Sequence, residues 1–350
     1  MSNLPSSPVS RSPGNPPSER ELIARSIAAQ HFAGPNQDQF EQLVHTLLRL
    51  HRDGNDRGDI KLLSRALGEL RYAFKVFNPF SATRKISIFG SSRTKPEHPD
   101  YIAAMEYAKR MCAAGWMVIT GAGDGIMKAG HGGAGREASF GVAIRLPFEQ
   151  ATNDIIADDD KLVNFNYFFT RKLMFIKEAS AVALFPGGFG TQDELFETLT
   201  LIQTGKAQIV PVVMVEHANG RYWKEWQDYV DDHLLKTGMI SGDDEELYLI
   251  TDDIQEAVDE VLRFYRVHHS HRYVGKDLVM RLETKLSPTA LQKLNDEFAN
   301  SLLVSGKIEA CEALPEEDGE FAEKPRLRFH FNKRNFGLLR KFIDRVNQSA

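Results

Sequence analysis

Between residues 184 and 197 the chain reads Leu184-Phe-Pro-Gly-Gly-Phe-Gly-Thr-Gln-Asp-Glu194, followed a turn later by Glu197. An apolar, strand-like run passes through Gly187, Gly188 and Gly190 into a helical pattern. Glycines there let successive backbone N–H groups curl around an anion with no Cβ in the way, and a helix N-terminus adds partial positive charge. Thr191 can add a hydroxyl donor. Thr191-x-x-Glu194 also fits a capping box, although a capping box alone does not need three preceding glycines. Glu194 and Glu197 stand at i,i+3 and share a helix face. Beside a bound sugar phosphate, such carboxylates can orient hydroxyls, position a water or stabilise a cationic sugar. Ordinary acidic bias at a helix start would place the same residues there with no chemistry attached.

Two further segments belong to the same kind of chemistry. In Thr120-Gly-Ala-Gly-Asp-Gly-Ile-Met-Lys128, Gly121, Gly123 and Gly125 follow an apolar strand and open a helix. Both anion binding and close strand–helix packing ask for that arrangement. Gly90, Ser91 and Ser92 end an earlier strand, with hydroxyls suited to a phosphate or ribose, or to a generic strand-end turn. In Phe165-Asn-Tyr-Phe-Phe-Thr-Arg-Lys-Leu-Met174, Arg171 and Lys172 interrupt an aromatic helix start. An arginine fork there suits phosphate or carboxylate; a buried salt bridge or stacking on Phe168 is the alternative. Leu146-Pro-Phe-Glu-Gln150 ends another strand and could wall the same pocket.

The elements that must hold these residues are short apolar runs at 85–90, 116–120, 140–144, 181–185, 209–215 and 247–251. Helical patterns at 98–114, 125–138, 167–179, 191–205 and 254–265 alternate with them. Such alternation predicts a doubly wound parallel α/β sheet, here over residues 80–267. Before it, residues 1–17 read as a disordered tail. Residues 18–79 read as a helical extension, opened by a Ser18–Glu21 capping box and carrying apolar faces Phe40/Leu43/Leu47 and Ile60/Leu63/Leu67. After it, residues 268–350 read as a small α+β appendage. This has strands at 278–282 and 327–331, an acidic loop at 315–323 and a basic helix at 333–346. His268-His-Ser-His271 reads as a solvated helix end, and His131 and His217 as ordinary loop residues.

The 350 residues are ample for a self-supporting core, and a net charge of −5 gives no global attraction to nucleic acid or anionic membrane. The basic stretch Arg326–Arg345 reads as a solvated face or a local anion or RNA site. Two cysteines suit a reducing compartment, no apolar run reaches the ~18 residues of a membrane span, and the first residues lack a secretory apolar region. A soluble, cytoplasmic protein is expected. No metal constellation and no Gly-x-Ser-x-Gly elbow stands out.

Taken together, Pro186-Gly-Gly-Phe-Gly-Thr-Gln-Asp-Glu194 resembles the PGGxGTxxE signature of the LOG (Lonely Guy) family, long labelled lysine decarboxylases. The resemblance runs over about residues 84–265, through Gly90-Ser-Ser, the glycines of 121–135, Tyr-Phe-Phe-Thr-Arg-Lys-Leu-Met174 and Leu199-Thr-Leu-Ile-Gln-Thr-Gly205. It implies a Rossmann-like homodimer, or a higher homo-oligomer. Its expected reaction is hydrolysis of the N-glycosidic bond of nucleoside 5′-monophosphates, cytokinin ribotides included, to free base and ribose 5-phosphate. Arg171 and Glu194 would be catalytic and the Gly187–Thr191 loop would hold the phosphate. Gly90, Ser91, Ser92, Gly121, Gly123, Lys172 and Glu197 would complete the substrate site, with no metal or redox cofactor required. Lysine decarboxylation would need a pyridoxal-phosphate lysine, and the sequence marks none out. The rival is a nucleotide-binding sensor or carrier without turnover. Two departures from the family pattern, Gly121-Ala-Gly-Asp-Gly125 and Lys128, bear on base preference.

Overall fold

The structure, a computed structural model, describes residues 18–32, 34–145 and 152–349. The expected N-terminal tail and the Leu146–Gln150 wall lie outside the described residues. The chain divides into two compact units, one ending at Glu69 and one running from Leu70 to Ala350.

The first unit is helical. Its helix α1 (Glu19–His31) opens on the expected capping box, Ser18 and Glu21 each satisfying the other's orphan donor. Helix α2 (Gln37–Arg52) packs on α1 through the Arg25–Glu41 pair at 3.1 Å and stacked Phe32 and Phe40 rings. Helix α3 (Arg57–Phe77) crosses the boundary into the second unit and ends in a single 3-10 turn at Asn78–Phe80, where Pro79 stops it.

The second unit is built on a seven-stranded, all-parallel sheet in the order β4-β3-β2-β1-β5-β6-β7. Its strands are β1 (Lys85–Phe89), β2 (Met117–Thr120), β3 (Ser139–Ile144), β4 (Leu162–Phe165), β5 (Ala181–Leu184), β6 (Val212–Val215) and β7 (Leu249–Thr251). Between them run α4 (Pro99–Ala113), α5 (Ile126–Ala134), α6 (Phe168–Glu178), α7 (Phe189–Gln203) and α8 (Tyr222–Val230), and α9 (Ile254–Phe264) follows β7. Successive strand residues point to opposite faces. Ile86, Ile88, Val118, Ala181 and Ala183 therefore meet Tyr107 and Met111 of α4 and Val258 of α9. Met117, Ile119, Val182 and Leu184 meet Met174 and Phe175 of α6, Leu195 of α7 and Trp223 of α8. Both faces are covered, which is why the strands read as continuous apolar runs.

Residues 268–350 form a four-stranded antiparallel sheet, β10-β11-β9-β8. It comprises β8 (His268–Val274), β9 (Asp277–Leu282), β10 (Leu303–Cys311) and β11 (Arg326–Phe331), packed with α10 (Pro288–Leu302) and α11 (Phe336–Asn347). Met280, Phe298, Phe329 and Phe342 share one continuous core with Trp223 and Phe264 of the large sheet domain.

One expectation is corrected here and another holds only in part. His268-His-Ser-His271 opens strand β8 instead of ending a helix, and His268 and His271 are buried 3.2 Å apart. Burial drives both imidazoles toward the neutral form, His271 down to about 4. The basic stretch is a solvated face only in part: Lys333, Arg334, Lys341 and Arg345 are exposed, whereas Arg326 and Arg340 are buried and much of the charge is matched internally. Arg326 and Arg281 flank fully buried Glu317, each within 2.7 Å. Arg340 pairs with Glu260 and Asp344, Lys341 with Glu246, and Arg345 with Glu297.

Candidate functional site

Chain order places the site before any side chain is considered. From β1 the strands step outward to β4, and β5 then returns to the other side of β1. Above the carboxyl ends of β1 and β5 the winding reverses, leaving the crevice where doubly wound sheets bind ligands. Gly90 and Ser91 leave β1 on one side of it, and Pro186 and Gly187 leave β5 on the other. The Ser91 N–H donates to the Pro186 carbonyl at 3.1 Å, tying the two strand ends together.

The glycine turn after β5 has two kinds of glycine. A Cβ on Gly187 would lie 2.1 Å from Thr191 Oγ1 and 2.9 Å from the Ser91 nitrogen, whereas a Cβ on Gly188 or Gly190 would meet nothing within 4 Å. Gly187 is thus required by packing, while Gly188 and Gly190 leave the backbone open to an approaching group. Helix α7 begins at Phe189 with Gly188 as its N-cap, so Thr191 lies inside the first turn and the expected Thr191–Glu194 capping box does not form. The free N–H groups of that turn remain available to an anion. Phe189 is 97% exposed at the mouth. From α8, the Tyr222 hydroxyl donates to the Gly187 carbonyl at 2.5 Å and accepts from Gln192 Nε2 at 2.7 Å. Gly187→Ala should therefore displace the turn: binding of a phosphate-bearing ligand there is expected to fall by at least ten-fold, on the order of 1.4 kcal/mol. Titration calorimetry checks this, and unchanged affinity would remove the turn from the site.

The other glycines mainly permit close packing. A Cβ on Gly90 would stand 2.6 Å from Ile126, one on Gly123 would stand 2.7 Å from Met127, and one on Gly125 would stand 2.2 Å from the Ser91 carbonyl and 2.8 Å from Ser92 Cα. Gly121 faces the site directly, since its Cβ would lie 2.5 Å from an Arg171 guanidinium nitrogen. Between them Ala122 holds a left-handed φ of 63°. Its N–H donates to Thr120 Oγ1 at 3.0 Å, its carbonyl accepts from the Asn153 N–H at 2.8 Å, and Asn153 Nδ2 donates to the Gly123 carbonyl at 2.9 Å. His131, expected in a loop, is instead buried in α5, with Nε2 3.0 Å from Thr120 Oγ1 and Nδ1 3.3 Å from Asn153 Oδ1. His217 does lie in a loop, where its N–H and Nδ1 both reach Asp100 at 2.8 Å. Ala122→Gly relieves the left-handed strain but frees the unfolded chain, so a net gain of roughly 0–1 kcal/mol is expected in denaturant melts. A clear loss would contradict this reading of the loop.

Glu194 on α7 and Arg171 on α6 converge below the turn. Glu194 is 7% exposed, and its Oε2 is buried without a hydrogen-bond partner among the described residues. Burial pushes its carboxyl up to about 7, and the nearby Glu197 charge adds to this, while Lys172 and Arg171 pull the other way. Arg171 donates from Nε to the Val142 carbonyl of β3 at 2.9 Å, and its guanidinium lies 5.1 Å from the centre of the Phe175 ring rather than over Phe168. Burial lowers its pKa, opposed by the charge of Glu194. The Lys172 ammonium lies 3.0 Å from Asp193 and 2.9 Å from Glu197. Burial of Lys172 is outweighed by these bonds, so its pKa is raised. Lys172 and Glu197 therefore hold each other, one turn from the less satisfied Glu194.

A carboxyl poised near neutrality can take or give a proton at physiological pH. Among the described residues no group of three or more His, Cys, Asp or Glu side chains is placed to hold a metal ion, and no helix is long and apolar enough to cross a membrane.

Residues 123–261 match the family model described as "Possible lysine decarboxylase". The cytokinin riboside 5′-monophosphate phosphoribohydrolase of Mycobacterium tuberculosis is 26% identical over 169 residues, spanning 47% of this chain and 86% of that one. The molybdenum cofactor binding protein of Rippkaea orientalis has a solved structure that covers 51% of this chain and 94% of its own at 17% identity, with a TM-score of 0.36. The Moco carrier protein of Chlamydomonas reinhardtii covers 51% and 98% at 19% identity, with a TM-score of 0.35.

Proposed function

The chain carries a domain of the LOG family, and from that premise we propose that it hydrolyses the N-glycosidic bond of nucleoside 5′-monophosphates. Family membership supports nucleotide ribohydrolase chemistry at the level of the family. The observation that carries the reading to this chain is the buried Glu194 carboxyl, its Oε2 without a hydrogen-bond partner among the described residues, placed directly after an open glycine turn at the β1/β5 crevice.

In this reading the 5′-phosphate sits on the N–H groups of the Gly187–Thr191 turn. The ribose then reaches toward Glu194. As the C1′–N bond breaks, positive charge develops on the sugar, and the Glu194 carboxylate offsets it in a medium of low dielectric. Water supplies the new C1′–O bond, with its proton passing to Glu194 and the departing base carrying away one proton overall. Arg171 balances the charge of Glu194 and stabilises electron density on the leaving group. The products are free base and ribose 5-phosphate.

Incubation with AMP, GMP, CMP, UMP and a cytokinin ribotide, followed by chromatography, tests this. Base release from at least one nucleotide is expected. Folded protein that releases none overturns the enzyme, and tight nucleotide binding without release would instead make the chain a sensor or carrier.

A further inference from the structure

The opposite side of the crevice holds a cleft of which the mononucleotide reading uses only Ser91. It is an open cavity of about 590 Å³ lined by Ser91, Arg93, Thr94, Lys95, Glu97, His98 and Pro99. Helix α4 begins at Pro99 and packs against the β-sheet face that carries Ile86 and Ile88, whereas α6 and α7, which bear Arg171 and Glu194, pack against the other face. The strand ends at Ser91 and Gly187 lie between the two. A ligand whose sugar faces Glu194 and whose first phosphate lies on the glycine turn therefore continues, past Ser91, into this cleft.

The lining suits a further anion. Arg93 and Lys95 are exposed and form no ion pair among the described residues, unlike neighbouring Arg110 with Glu106 at 2.8 Å and Lys128 with Asp154 at 2.8 Å. Glu97 is the opposing carboxylate in the lining, leaving one net positive charge. Asp100, just behind, is buried, with one carboxylate oxygen held by the His217 N–H and Nδ1 and the other 3.5 Å from Nδ1 of His98 in the lining. The Arg93 N–H donates to Ser91 Oγ at 3.1 Å, which fixes the approach of the 91–93 segment to the phosphate turn.

Resting on the nucleotide reading above, we propose that this cleft receives a second phosphoryl group, so that the chain also takes nucleoside 5′-diphosphates and their esters. The reaction is unchanged: water adds to C1′, the C1′–N bond breaks, the base leaves with a proton, and ribose 5-diphosphate remains. Arg93 and Lys95 act as anion-binding residues for the distal phosphate and take no part in the bond changes.

The test measures binding and base release for matched mono- and diphosphates of every base in the panel above, using the full chain and its Arg93→Ala/Lys95→Ala double variant. Wild type should bind the accepted diphosphate about ten-fold more tightly than its monophosphate, in line with added charge-assisted contacts. The double variant should lose that gain, with the monophosphate altered less than two-fold. Glu97→Gln should strengthen diphosphate binding further, and added salt should weaken it, since the groups are exposed. Equal affinity for both nucleotides, or equal losses for both in the double variant, overturns the inference and leaves the nucleosidase intact. Failure to bind any monophosphate or diphosphate of that panel overturns the nucleotide reading itself.

Discussion

Glu194→Gln is expected to lower base release by about 10²–10⁴-fold, the usual cost of removing a positioned acid–base group, while leaving the chain folded. It should also change stability in a pH-dependent way. In the folded chain burial raises the Glu194 carboxyl from 4.5 to about 7. Below pH 4.5 it is protonated whether the chain is folded or not, so it costs nothing. Between 4.5 and 7 the unfolded chain releases its proton first and stability falls. Above 7 the folded chain carries the whole penalty, on the order of 3 kcal/mol. Glutamine cannot ionise, so the variant should melt with wild type near pH 4 and above it at pH 8. Thermal melts at the two pH values check this. A variant less stable than wild type at pH 8 would mean that the carboxylate is well satisfied in the fold. The same titration shapes the rate: kcat/KM should rise through about pH 7 as the carboxylate forms, then level off.

Arg171 should show the second large effect. Its Nε bond to the Val142 carbonyl, its contact with Gly121 and its position beside Phe175 fix the guanidinium in a nearly closed site. Arg171→Ala removes the nearby positive charge and leaves that carbonyl without its donor, so a stability loss of about 1–3 kcal/mol is expected. Loss of electrostatic stabilisation should cost roughly 10²–10³-fold in kcat/KM. Without the cation, the Glu194 carboxyl moves further up, and the rising limb of the pH profile shifts to higher pH. Arg171→Lys keeps the charge but loses the fork and the Nε bond. It should hold the pH profile near wild type while recovering only part of the rate. An alanine variant with an unmoved pH profile would separate Arg171 from Glu194.

The central strands were legible because each is covered on both faces and so reads as an unbroken apolar run. Strand β4, Leu-Val-Asn-Phe, was hidden by its length and its exposed Asn164. Strand β8 was misread because His268 and His271 look polar, although a buried imidazole kept neutral is compatible with a core. Strand β10 escaped because it is a mostly exposed edge with shifted register, which weakens any alternation. Helix α8 escaped too: Trp223, Trp226 and Val230 carry its buried side, but the polar and charged residues between them hide the pattern.

At the site, the glycine turn, Glu194 and Arg171 stood out because glycines and charges interrupt apolar sequence. The Thr191–Glu194 spacing misled because helix α7 begins two residues before Thr191. Tyr222, Asn153 and His131 gave no local signal, since their partners lie 35, 30 and 11 residues away in sequence. Their contribution is to fix backbone carbonyls and a left-handed alanine, and no spacing rule reports that. The C-terminal arginines look like a binding patch until their carboxylate partners on α9, α10 and the 315–317 turn are placed beside them.

The most direct measurement is chromatographic detection of free base from nucleoside 5′-monophosphates, run in parallel on wild type and Glu194→Gln at matched foldedness. The account predicts equal amounts of base and ribose 5-phosphate from at least one nucleotide with wild type, and release lower by about 10²–10⁴-fold with the variant. Equal release by the two proteins, or no release by folded wild type, would contradict it.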